Sequence, residues 1–574
     1  MRYLYSPSSK HGLPFALQNC KCWLVILVCL LGSWHFSVAA QPSPTVEDVL
    51  RKNEQNIRDA QKREVPEADV FLQPKDLLPE KKESGINAER CYPVLTYEIE
   101  GLVSPMKAPP KELINRYTGS CIGAQQLNDF LGEVNGWFQS QGWVTTRAYF
   151  EAQKILTERL LIRVVPGRIE KITLNGRADD PRIASAFPVR DQRLLNLRDL
   201  EQGLENINRL PSQQATFKLY PGQEPGTSEI RVEVKDGNRY RLTEMVDNSG
   251  TETLGLWKST AELAWDNPFQ RNDQMAIGWL KNLDRGNLNA LFQGITFNYL
   301  QPIGYHLWTT SASWVDTQFN LPGINTQYPL QTQSKKFGVG YEYLYDRDQQ
   351  SKQSLLFGVD VTRQKTQVQE AEFISMTRRL TVAYVGLKGK HFSGNRVYDW
   401  SLRAEQGLKA VNAQRVLPDG TDPQYRLIKI KMGATWPMSR DRGLLRSALV
   451  MQVAPQKTPT LAQLQIGGRY DVRGFQQNSL LAPTGWHVRN EYEGASWQEG
   501  AWRLNAFVGL DAGRVQRTPS RQNSQQHLIG GVLGMRGEFK NTKAELAYAR
   551  ALSRPTQFSN ENKSHWYAQL SLSF

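Results

Sequence analysis

The feature that most constrains this chain is a two-residue period that begins near residue 239 and runs to Phe574. Phe337, Val339, Tyr341, Tyr343 and Tyr345 share one face of a run whose other face carries Gly338, Gly340, Glu342 and Leu344. Leu355, Phe357, Val359 and Val361 follow, and then Tyr398, Trp400, Leu402 and Ala404 oppose Asp399, Arg403 and Glu405. Further on, Trp502, Leu504, Ala506, Val508 and Leu510 alternate with Arg503, Asn505, Phe507, Gly509 and Asp511. Successive side chains of a strand point to opposite faces, so each run has one apolar and one mostly polar side. Segments of about ten such residues, parted by Asn, Asp, Gly and Pro, predict a transmembrane β-barrel. About sixteen antiparallel strands fit between Tyr240 and Phe574, at about 21 residues per strand plus connection. The mean hydropathy of -0.51 is compatible, because barrel strands are apolar on one face only. Trp308, Trp314, Trp436 and Trp566 read as interfacial girdle residues at strand ends. The last run places Trp566, Ala568, Leu570, Leu572 and Phe574 on one face. Barrel-assembly machinery recognises an apolar strand of that kind with a terminal aromatic, so Phe574 is read as the barrel-assembly signal.

The start of the chain predicts export. Lys10 and Lys21 flank a short apolar core, Trp23 to Leu31, and Val38-Ala39-Ala40 offers a cleavage site before Gln41. The apolar run is about half of the roughly 18–20 residues that a membrane-spanning helix needs. Residues 1–40 are therefore read as a signal peptide. The net charge is +14, of which Arg2, Lys10 and Lys21 supply three. The remaining basic residues are scattered singly rather than in runs, which argues against nucleic acid as a partner. Cys20, Cys22 and Cys29 fall within the signal, leaving Cys91 and Cys121. In an oxidising compartment this pair can close a disulfide worth ~3 kcal/mol, with two free thiols as the alternative.

Between the signal and the barrel lie four segments. Residues 41–62 hold one short helix: Thr45 and Asp48 form a capping box, and Val46, Val49, Leu50, Ile57 and Ala60 lie on roughly one face. Residues 63–90 are rich in Pro, Lys and Glu and read as a linker. Residues 91–166 and 167–238 then repeat one order of elements, strand, helices, strands, as two small α+β domains. In the first, Leu95, Tyr97 and Ile99 mark a strand. Leu127, Phe130, Leu131, Val134, Trp137 and Phe138 mark a helix, and Leu160, Ile162 and Val164 mark the closing strand. In the second, the corresponding sets are Ile172 and Leu174; Leu197, Leu200, Leu204, Ile207 and Leu210; and Ile230, Val232 and Val234.

The longest late connection in the barrel, residues 455–483, contains Gly467-Gly468-Arg469-Tyr470 and then Val472-Arg473-Gly474-Phe475. Two strands later comes a second motif, with Phe507, Gly509, Asp511 and Gly513. Parity puts Asp511 on the inward face, opposite Leu510. A carboxylate inside a partly occluded lumen needs a partner, and an arginine on a loop folded inward can grip it with two hydrogen bonds. No zinc-protease, nucleophile-elbow or phosphate-loop motif occurs, so neither an enzyme, a metal nor a cofactor is expected.

On these residues the chain resembles the two-partner secretion transporters, the TpsB proteins of the FhaC, ShlB and CdiB type, within the superfamily that includes BamA. The resemblance covers essentially the whole mature chain. It extends to Asn206-x-x-Arg209-Leu210-Pro211-Ser212 in the second domain and to the cysteine pair of the first. It implies a barrel in the outer membrane of a Gram-negative bacterium, with two POTRA domains in the periplasm. The 41–62 helix would plug the barrel, the POTRA domains would capture an unfolded partner by strand addition, and the 455–483 loop would lock inward through Arg473 and Asp511. The partner would be a large secreted β-helical protein of the TpsA type, a haemolysin, adhesin or contact-dependent toxin. The transporter would act as a monomer in outer-membrane lipid. The alternative is an assembly factor that inserts other barrels, although such proteins usually carry more than two POTRA domains.

Overall fold

A computed structural model describes residues 69–72, 91–119, 121–153, 159–322, 327–438, 442–455, 457–516, 526–556, 558 and 562–574. The expected signal peptide and the 41–62 helix lie outside these residues, as does most of the linker.

Domain 1 contains β1 (Cys91–Pro93), β2 (Thr96–Glu100), α1 (Lys111–Asn115), β3 (Cys121–Gly123), α2 (Ala124–Ser140), β4 (Arg147–Phe150) and β5 (Arg159–Val165). Its sheet runs β2-β5-β4, with β2 parallel and β4 antiparallel to β5. The 3.6-residue spacing turns Phe130, Val134 and Phe138 of α2 onto Ile162 and Val164 of β5, and all five are buried. Cys91 and Cys121 lie on the small β1–β3 ribbon, Cys91 opposite Gly123 and Cys121 opposite Pro93. Their side chains lie outside the described part of the structure.

Domain 2 repeats the plan with β6 (Arg168–Leu174), α3 (Pro181–Ala186), α4 (Leu197–Asn208), β7 (Gln213–Pro221) and β8 (Thr227–Asp236), in sheet order β6-β8-β7. The repetition extends to single hydrogen bonds. In domain 1 the Asn135 amide bonds both backbone groups of Ala148 on the edge strand β4 (2.8 and 3.1 Å). In domain 2 the Asn208 amide does the same to Ala215 on β7 (2.6 and 3.2 Å). A side-chain amide standing in for a peptide group closes part of each free edge.

The barrel is a closed wall of sixteen antiparallel strands, with two short extra strands, Ala371–Glu372 and Trp497–Glu499. Alternation sorts the side chains as the period requires: Phe337 and Leu510 point outward at 50% and 47% exposure, whereas Asp511 is fully buried. The first strand, Tyr240–Asp247, pairs with the last, Ser564–Ser573, and Phe574 extends the seam by exchanging two backbone bonds with Leu242 (2.8 and 3.1 Å). Trp308, Trp436 and Trp566 lie near strand ends beside Tyr341, Tyr398 and Tyr548. Trp314 does not: it sits mid-strand opposite Lys335, because its strand, His306–Pro322, is far longer than the apolar band requires.

Domain 2 is bonded to the rim of this barrel. Asn206 Nδ2 donates to the Gly304 carbonyl (2.7 Å), and the Gly304 N–H donates to the Ser185 carbonyl (2.8 Å). The Ser212 N–H donates to Asp266 (3.1 Å), and Tyr305 donates to Asp199. Arg347, on the barrel turn, reaches Glu205 (2.7 Å), Gln202 (2.9 Å) and Glu201 (3.3 Å) of α4. Thus Asn206 and Ser212, picked out by resemblance alone, serve as docking residues.

Asp180 caps α3 and accepts from Arg182 and Arg177. Burial alone would raise its carboxyl, but those bonds outweigh it and hold the pKa at about 2. A depressed carboxylate contributes stability above its unfolded pKa and loses it as pH falls through the folded value. Asp180→Asn should therefore cost residues 91–238 about 2 kcal/mol in urea unfolding at pH 7. The difference should fade between pH 4 and pH 2; a deficit independent of pH would contradict this account.

Candidate functional site

The connection between the strands Gly443–Val453 and Gly485–Gly494 turns inward and fills part of the lumen. It carries a small hairpin, Leu464–Ile466 against Leu480–Ala482. Val472 and Phe475, both fully buried, pack with Leu464, Ile466, Leu480, Ala482, Val515 and Leu528. This apolar cluster seats the loop on the wall and leaves Arg473 between its two anchors.

Arg473 is 2% exposed. Its Nε and Nη2 donate to the two carboxylate oxygens of Asp511 at 2.6 and 2.9 Å, and its backbone N–H donates to Asp511 at 3.1 Å. Its Nη1 donates to Glu491 on the neighbouring strand. The glycines of both motifs make this approach possible. A Cβ on Gly509 would lie 2.3 Å from Arg473 Nη2, and one on Gly513 would press on Val472 and Ile466 at 3.1 Å. Gly474 has φ +97°, and a Cβ there would strike the Arg550 backbone at 2.6 Å. Phe507 packs under Arg536, whose guanidinium lies 4.1 Å from the ring centroid. The structure thus brings Val472, Arg473, Gly474, Phe475, Gly509, Asp511 and Gly513 into one cluster, while Phe507 belongs to a second one with Val532, Ala547, Ala549 and Tyr567. Cys91, Cys121 and Phe574 stand apart from it.

Several partners were not legible as site residues. Glu491 also accepts from Arg536 (2.6 Å), which continues to Glu545 (2.9 Å), and Glu545 accepts from Arg469 of the loop (2.8 Å). Arg469 further donates to the Ala568 carbonyl (3.1 Å). Tyr567 lies between these arms, its hydroxyl donating to the Phe475 carbonyl (3.2 Å). The loop is therefore held at two places on the wall by a continuous ladder of charge. The available signal was the inward parity of Arg489, Glu491 and Glu493, three charges at every second position of one strand.

A closed barrel with two periplasmic-type α+β domains and a charge-locked loop in its lumen defines an outer-membrane protein-secretion channel. The profile of the haemolysin secretion/activation proteins ShlB/FhaC/HecB matches residues 226–537, and the chain belongs to that family. A ShlB-type POTRA profile matches residues 92–167 and another POTRA profile residues 168–221, so domains 1 and 2 are POTRA domains. Among curated relatives, the outer membrane transporter CdiB-2 of Burkholderia pseudomallei (strain 1026b) is 27% identical, covering 87% of this chain and 90% of its own. The hemolysin transporter protein ShlB of Serratia marcescens is 24% identical, covering 81% of each. The solved structure of CdiB from Escherichia coli has the same fold, with a TM-score of 0.81 over 94% of this chain and 100% of its own at 20% identity. The barrel thus lies in the outer membrane and the POTRA domains in the periplasm.

Arg473→Ala would leave the buried Asp511 without its main partner, a loss of about 3–5 kcal/mol for breaking one side of a buried pair. The loop should leave its seat in a large fraction of molecules, seen as faster trypsin cleavage within 455–483, while the barrel stays inserted. Arg473→Lys should rescue little, because an ammonium cannot bridge both carboxylates with a rigid fork. Unchanged protection in both variants would contradict the lock.

Proposed function

We propose that the chain exports an unfolded partner protein through its barrel, and that the loop held by Arg473 is the gate. The observation that carries this reading is the grip of Arg473 on two carboxylates from neighbouring strands, which keeps a long loop in the lumen without covalent attachment. A passive pore has no need of such a contact, nor of two periplasmic domains on its rim. In this reading the POTRA domains receive the partner by strand addition, since main-chain bonds tolerate any sequence. The partner is a large secreted β-helical protein. The relatives, haemolysin transporters and CdiB proteins, support a haemolysin or contact-dependent toxin, with an adhesin as the remaining reading of the family resemblance. Residues 41–62 plug the lumen at rest. Cys91 and Cys121 close a disulfide on the β1–β3 ribbon, and the transporter works as a monomer, placed in the membrane by the barrel-assembly machinery through Phe574. The chain carries out no reaction and carries no nucleotide motif, so folding of the partner outside supplies the direction of transport.

Arg473→Ala should lower export of a co-expressed secreted partner of the TpsA type at least tenfold at equal levels of inserted barrel; full export would overturn the gate. Deleting 45–62 should raise single-channel conductance in planar bilayers, and an unchanged conductance would remove the plug. The full-length protein should bind the N-terminal region of that partner at micromolar concentration or better.

A further inference from the structure

Within the segment read as a linker, Asp69-Val70-Phe71-Leu72 has a built site on the protein. Asp69 pairs with Lys352 and Lys390 of two barrel strands. The Val70 carbonyl accepts from Arg347. The Phe71 ring lies 4.6 Å from Phe392, with the Arg347 guanidinium 5.3 Å and the Lys352 ammonium 5.6 Å from its centroid. The Leu72 N–H donates to Glu201 of α4 (2.7 Å), and Val70 and Leu72 pack on the core of domain 2. All four consecutive residues thus engage the seam where domain 2 meets the barrel.

The chemistry of that seam selects this kind of segment. Among the described residues, Arg198, Arg347 and Lys352 gather round Glu201 and Glu205, and Asp69 brings a third carboxylate to Lys352 and Lys390. Burial alone would raise the Asp69 carboxyl, but Lys352 and Lys390 outweigh it and hold it below its ordinary value. Arg347 and Glu201 are at most 2% exposed at their side chains, so these are not loosely solvated surface pairs.

We propose that this seam is a peptide-binding site for an acidic–aromatic segment, that its ligand is the chain's own Asp69–Leu72, and that this clasp sets how far the residues before it can travel. The consequence for transport rests on the reading of 41–62 as a plug. A helix over 45–62 is about 27 Å long and must withdraw by about that length to clear the lumen. With Asp69 held, residues 63–68 span at most about 20 Å. With the clasp open, the next fixed point is Cys91, and residues 63–90 can span up to about 95 Å. Opening the clasp therefore lengthens the tether more than about fourfold, and a closed clasp keeps the plug beside the lumen.

The test is a cysteine pair, Phe71→Cys with Phe392→Cys, in the full-length protein. Oxidation should join the two peptides, identified by mass spectrometry, and should lower export at least tenfold, with recovery on reduction. Failure of the crosslink to form would overturn the clasp. A crosslinked chain that exports normally would overturn its control of travel. Deleting 45–62 from the crosslinked chain should restore export, because no helix remains to be withdrawn; continued block would also overturn that control. The plug itself is judged separately by the conductance of the deletion without the crosslink. If that conductance is unchanged the plug reading fails, while crosslink formation still decides whether Asp69–Leu72 occupies the seam.

Discussion

A strand in lipid cannot leave its backbone groups unpaired, so the wall must close on itself. Here closure falls on the pairing of Tyr240–Asp247 with Ser564–Ser573, extended by the two backbone bonds between Leu242 and Phe574. Everything else depends on this seam. It brings Tyr567, on the last strand, beside the loop, and it gives that loop an enclosed lumen in which charges become consequential.

Inside that enclosure, burial changes what an ion pair does. A buried pair adds little net stability over apolar packing, yet losing one partner costs several kcal/mol. That asymmetry suits a contact whose task is to specify one position. The apolar cluster around Val472 and Phe475 supplies adhesion. The chain from Arg473 through Glu491, Arg536 and Glu545 to Arg469 supplies position, because each guanidinium is met from fixed points on neighbouring strands.

The rim follows the same logic at the other end of the wall. Domain 2 is attached through backbone carbonyls, Asn206 and Ser212, and through Arg347, which faces three side chains of α4. The same arginine holds the Val70 carbonyl, so attachment of the domain and capture of the preceding segment share one residue. Movement of the POTRA domain against the barrel would strain both contacts together.

The two-residue period determined, by itself, that the chain would form a barrel, which faces would meet lipid, and that Asp511 would point inward. Helical spacing likewise determined the faces of α2 and α4, since both properties follow from local backbone geometry alone. Parity alone could not match Asp511 to Arg473, since other carboxylates face inward and the loop carries Arg469 as well; the resemblance to the secretion transporters supplied that pairing. Glu491, Arg536, Glu545 and Arg469 were not legible, because their meeting depends on the register between strands that are distant in sequence. Asp69–Leu72 was hidden for a similar reason: its four residues carry no period, and a Pro-, Lys- and Glu-rich context reads as linker. Trp314 shows the converse limit, since alternation reports a side chain's face but not its height on the wall. Period is a property of neighbours along the chain and survives in the sequence. Register, height and docking are set by packing between distant segments, and only the tertiary structure decided them.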